Sequence, residues 1–127
     1  MSALTHLVPD IRAFRPFLPA KDYQTSLRFY EALGFEAYPL GDTMAELNLG
    51  PYAFLLQGYY VKEWADNMMM HVLVNALDPW WEHIASLDLS TRFGVPPPAA
   101  PRVEPWGLRI AYVWDPSGVL WHFAESA

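Results

Sequence analysis

Few side chains in these 127 residues are of a type that could do chemistry. His71 and His122 stand out, because an imidazole is a good metal ligand. Arg15 and Arg109 are the companion cations; a guanidinium stays protonated and has no lone pair to give a metal. Spacing ties two of these together: Arg15 stands seven residues before Asp22, and His71 seven before Asp78. There is no cysteine, which excludes a disulfide framework and a thiol nucleophile. GxSxG elbows, Gly-rich phosphate loops and HExxH helices are also missing.

The elements that must position these residues repeat. Residues 14–18 read as a strand leading to Asp22, an N-cap for a helix over residues 23–33 that Gly34 stops. The pattern returns 56 residues later as a strand over 69–74, then Asp78 as cap, then a helix over 79–87. Pro16 and Pro19 cannot donate to a ladder, so the first strand belongs at an edge. Strands over 35–38, 43–49 and 52–57 complete the first module, and residues 1–11 read as a loose lead-in. A sixth strand is predicted within 90–95, then a stiff proline-rich loop over 96–101. A final hairpin pairs 108–114 with 119–124 around Asp115-Pro-Ser-Gly118. The chain therefore reads as one α+β domain, residues 1–127. It holds two βαβββ modules (about 12–58 and 69–125) and a linker over about 59–68. That linker carries Tyr59, Tyr60 and Trp64, either as cover for a pocket or partner, or as a short helix packed on the sheet.

Bulk properties limit the function classes. Hydrophobic residues make up 53% and charged ones 17%, the mark of a globular core. A net charge of −6 with no basic stretch argues against nucleic acid and anionic membranes, and favours a neutral or cationic organic ligand. No apolar run approaches the ~20 residues of a membrane helix, and no signal peptide is apparent, so the expected location is cytoplasmic. Aromatic residues reach 16%, either as an unusually ring-rich core or as the lining of a binding surface or subunit interface.

Two stretches resemble the vicinal-oxygen-chelate superfamily of glyoxalases, extradiol dioxygenases and bleomycin-resistance proteins. They are Lys21-Asp22 with Ser26-Leu-Arg-Phe-Tyr-Glu-Ala-Leu-Gly-Phe35, and Pro105-Trp-Gly-Leu-Arg109 with Asp115-Pro-Ser-Gly-Val-Leu-Trp-His122. Leu18-Pro-Ala-Lys-Asp22 and the Trp106-Gly107 pair are most similar to the bleomycin-resistance branch. The resemblance implies a U-shaped eight-stranded mixed sheet with helices on its convex side. It also implies a homodimer whose cups are shared between chains. Its metal positions fall here at Arg15, Leu55 or Leu56, His71 and His122, so only two carry ligands.

Pairing the last hairpin with His122 opposite Ala111 puts Arg109 and Val113 on the histidine face. Ile110, Tyr112, Trp114, Trp121 and Phe123 then fall on the core face. Glu46 reads as a cup carboxylate or as the exposed face of a hairpin, and Glu82 and His83 as solvated helix residues. Trp106 either lines the cup's rim or anchors the proline-rich loop.

The expected function is a bleomycin-resistance-like binding protein that sequesters an aromatic or bulky organic molecule, with no catalytic residue and no cofactor. Its ligand-binding residues would be Arg15, Tyr59, Trp64, His71, Trp106, Arg109 and His122. The alternative is a glyoxalase- or dioxygenase-like lyase or isomerase in which His71 and His122 hold one divalent metal ion. A weaker third is a stress or regulatory module that acts through its surface.

Overall fold

Asp22 sets the start of the first helix: its carboxylate accepts the Thr25 backbone N–H at 3.2 Å. Such a cap stabilises by about 1 kcal/mol. Gly34, at φ 125°, ends the helix, with its N–H on the Tyr30 and Glu31 carbonyls. In the structure, a computed structural model that describes residues 3–126, this helix is α1, Tyr23–Leu33. A single 3₁₀ turn (Val8–Asp10) and strand β1 (Phe17–Pro19) precede it. Then come β2 (Glu36–Pro39), β3 (Met44–Leu49), β4 (Tyr52–Gln57) and the short α2 (Lys62–Asp66). The second half holds β5 (Met69–Leu73), α3 (Leu77–Ser86), α4 (Leu89–Phe93), β6 (Ala99–Val103), β7 (Leu108–Trp114) and β8 (Leu120–Ser126).

The strands form two mixed sheets of four, ordered β1-β4-β3-β2 and β5-β8-β7-β6. In each, the strand before the helix lies parallel to the last strand of its module and at the sheet edge. The duplicated α+β architecture is as the sequence led one to expect, and so is the edge position of β1 with its prolines.

Tyr30 and Phe29 of α1, Phe35, Phe54 of β4 and Trp121 of β8 meet in edge-to-face and tilted pairs in one buried cluster. Each such ring is worth about 1.5–3 kcal/mol of burial. The modules are also joined by polar contacts. Ser117 in the β7–β8 turn accepts the Lys21 backbone N–H at 2.9 Å and touches Ser26 at 3.5 Å.

Four expectations are corrected. Residues 90–95 are not a strand, because Leu89 and Phe93 lie one helical turn apart and Gly94, at φ 71°, caps α4. Phe93 then packs on Phe29, ring centres 5.4 Å apart. The sixth strand lies instead within the proline-rich stretch, tolerated because β6 is an edge strand whose register slips between Ala99 and Arg102.

Asp78 is not the cap of α3. The helix starts earlier, and the Glu125 carboxylate accepts the Leu77 N–H at 2.6 Å. His83 is not simply solvated, since its Nε2 lies 2.8 Å from the Leu33 carbonyl.

The last hairpin is displaced by one residue: His122 pairs with Tyr112, not Ala111. Asp115 and Val119 close a three-residue loop whose last residue, Gly118, sits at φ 96°. Asp115 braces it by accepting the Ser117 and Val119 N–H groups at 2.8 and 2.9 Å. A one-residue slip sends every side chain of β7 to the other face.

Candidate functional site

Each sheet has one face against helices and one without. In the second sheet Ala111, Val113, Trp121 and Phe123 are buried on the helix side, where Trp80 of α3 stacks on Phe123 at 5.7 Å. The helix-free face carries the chemistry. His71 and His122 sit side by side on β5 and β8, their Nδ1 atoms 3.5 Å apart. Tyr112 meets His122 edge to face at 5.0 Å. The Tyr112 hydroxyl donates to Glu104 at 3.0 Å, and Arg102 donates to the same oxygen at 2.6 Å. Glu104 is only 7% exposed.

These neighbours set the protonation states. Burial pushes the His122 imidazole below its ordinary value, the charge of His71 adds to this, and Glu104 pulls it back. The hydrogen bond from Arg102 holds the Glu104 carboxyl below the usual carboxylate range. Burial, then the hydrogen bond to Glu104, raises the Tyr112 phenol. The group is thus a neutral-leaning imidazole beside a firmly charged carboxylate.

The first sheet holds a second polar group on its helix-free face. Arg15 bonds Glu46 at 2.9 Å, so Glu46 is a carboxylate of this face. With its amide turned to satisfy its neighbours, Asn48 donates to Glu46 at 3.2 Å. The cavity here, about 260 Å³, is also lined by Arg12 and Phe14.

A larger cleft of about 890 Å³ lies where the modules meet. Phe35, Tyr52, Phe54, Trp80 and Trp121 line it, and it reaches round the free edge of β5 to His71. Apart from His71, the sequence reading selected none of these, because the rings come from distant segments and belong equally well to a core.

The structure therefore brings His71 and His122 together and leaves Arg15 in the other group, with no hydrogen bond or ion pair between the two groups among the described residues. Arg109 is not on the histidine face. It turns to the helix side, bonding Asp78 at 2.8 Å and approaching Glu125 at 3.6 Å. The register slip accounts for this and for Tyr112, Trp114 and Ile110 facing the histidines instead of the helix side. Tyr59 and Trp64 contact each other at 6.3 Å on the surface around α2, whose Ala65 is the buried residue. Trp106 is exposed in the β6–β7 turn.

No family model matches the chain, and no curated protein does. Solved structures do. A bleomycin-binding protein complexed with bleomycin superposes with a TM-score of 0.76 at 22% identity, covering 92% of this chain and 100% of the other. The glyoxalase/bleomycin-resistance fold is this protein's fold. A bleomycin-binding protein from Streptomyces verticillus, complexed with copper(II)-bleomycin, gives 0.72 at 24% identity, covering 92% and 99%. A lactoylglutathione lyase from Agrobacterium tumefaciens gives 0.64 at 17% identity, covering 91% and 94%. The resemblance read from the two sequence stretches stands at the level of this fold.

Of the four positions that the resemblance implies for a metal, two hold residues that cannot ligate one. Arg15 is committed to Glu46, Leu55 is half-buried and apolar, and Leu56 is fully buried. Two imidazoles remain, and no group of three or more His, Cys, Asp or Glu side chains gathers among the described residues. A catalytic zinc takes three protein ligands.

Proposed function

We propose that this chain is a binding protein of the bleomycin-resistance type, sequestering an aromatic or bulky organic molecule without changing it. One observation carries the reading. A ring-lined cleft of about 890 Å³ includes His71, one of the two paired imidazoles, in its wall. Pockets that take drug-sized ligands measure roughly 300–1,000 Å³ and combine apolar walls with a few polar groups. Stacking supplies affinity there, and His71 sets orientation. Likeness to proteins holding bleomycin supports the ligand class.

The binding unit is a homodimer. Among the described residues no hydrogen bond or ion pair joins the two polar groups, and each sheet has its parallel strand, β1 or β5, at an edge. Phe14, Phe17, Met69 and Leu73 stand exposed along or beside those edges, Phe14 at 91%. A second copy that joined β5 to β1 would cover them and place Arg15 of one chain across from the histidines of the other. No helix among the described residues is long and apolar enough to cross a membrane; the proposed location is cytoplasmic, and the proposed role antibiotic resistance by sequestration.

The His71–His122 spacing favours one second reading. Two ligands of a tetrahedral ion stand roughly 3.3 Å apart, close to the observed 3.5 Å. A metal-assisted lyase or isomerase would then need further ligands from substrate or partner. Elemental analysis of purified dimer separates the readings. Stoichiometric metal that His71→Ala or His122→Ala removes overturns the binding reading, and metal-free dimer that binds ligand supports it.

A further inference from the structure

The small cavity on the first sheet carries a charge its surroundings do not cancel. Its carboxylate, Glu46, is already held by Arg15 and by the Asn48 amide. Arg12 lines the same cavity and has no carboxylate partner among the described residues. Glu36, across the same face on β2, is taken by the Tyr38 hydroxyl at 2.7 Å and does not line the cavity. Two guanidiniums thus meet one carboxylate. Arg15 spends one nitrogen, NH1, on Glu46, and the remaining donors of its fork stay available.

We infer that this cavity takes a carboxylate group of the ligand, gripped by Arg12 together with the free edge of Arg15, with the Phe14 ring against the adjoining apolar part. This rests on the proposed binding function and narrows its ligand to an anionic aromatic or bulky molecule. The formal charge of −6 points the other way, but charges beyond about 8 Å of an exposed site are screened at physiological salt. The nearby guanidiniums decide the sign, and a planar fork is matched to a carboxylate's two oxygens. About 260 Å³ holds such a group with part of a ring.

The test uses the full chain and a matched pair of probes, 2-naphthoate and 2-naphthamide, which share a ring system and differ in charge. Calorimetric titration is expected to give naphthoate at least ~10-fold tighter binding, the size of one charge-assisted hydrogen bond. Arg12→Gln is expected to bring the two to within about twofold, while Arg12→Lys keeps part of the difference by retaining charge without the fork. Equal binding of both probes by the natural chain, or an unchanged ratio in Arg12→Gln, overturns the inference and leaves the binding function standing. Binding of neither probe also overturns the inference, while the binding function is tested separately by the wider ligand panel.

Discussion

The Tyr30 hydroxyl donates to Asp115 Oδ2 at 2.5 Å and accepts the Trp121 indole N–H at 2.9 Å. All three groups are buried, and they join α1 of the first module to the last hairpin of the second. Burial raises the Asp115 carboxyl above the usual range, and the hydrogen bonds from Tyr30, Val119 and Ser117 oppose this. The two stretches that carry the family resemblance therefore meet in a structural latch between modules. They identify the fold and leave the ligand unnamed.

Breaking the latch should cost stability. Tyr30→Phe leaves the Trp121 N–H without its acceptor and Asp115 without its side-chain donor, a loss of about 1.5–3 kcal/mol. Urea unfolding of the variant measures it. A loss below about 0.5 kcal/mol, within the range of ordinary surface changes, would show that the modules do not depend on this contact.

The first helix, the duplication and the edge strand were legible because local chemistry sets them: Asp22 as cap, Gly34 as stop, prolines at an edge. The last hairpin was not, because its register depends on one residue of loop length. Asp115-Pro-Ser-Gly118 reads as a turn either way, and only the closing pair Asp115–Val119 decides the face of Tyr112 and Arg109. Glu104 was missed for a related reason: it follows β6, which hides in a proline-rich stretch that reads as loop. The ring-lined cleft is a product of tertiary packing and leaves no periodic signal.

The observed register pairs Arg109 with Asp78 and Glu125 on the helix side. Asp78 is well exposed, so Arg109→Ala should cost only ~0.2–1 kcal/mol. Glu125→Ala should cost more, about 1–2 kcal/mol, because it also frees the first N–H of α3. The order of the two losses in denaturant midpoints checks the arrangement; a larger loss for Arg109→Ala would contradict it.

His122 gives the stability a pH dependence of definite sign. Its folded value lies below the ordinary 6.5, so the unfolded chain binds the proton more readily. The contribution is fully present above about pH 6.5 and fades as pH falls through the folded value. Urea midpoints from pH 8 to 5 should drop more steeply in the natural chain than in His122→Gln. Parallel profiles would remove His122 from the account.

Assembly is tested at the β5 edge. Met69→Glu with Leu73→Glu places charges on two exposed apolar positions without touching the buried core. Sedimentation should show a dimer for the natural chain and a monomer for the double variant, each with the same far-ultraviolet dichroism. A natural chain that sediments as a monomer would refute the shared cup.

The central claim is ligand capture in the ring-lined cleft, and titration of tryptophan emission with metal-free bleomycin and other bulky aromatic compounds addresses it most directly. Saturable quenching is expected for at least one compound. His71→Ala and Tyr52→Ala, which remove a polar group and an exposed ring from the wall of the cleft, should weaken it up to about tenfold, as expected when a ligand loses a hydrogen-bond partner or a stacked ring. Absence of saturable quenching across the panel, or quenching that neither substitution changes, would contradict the account.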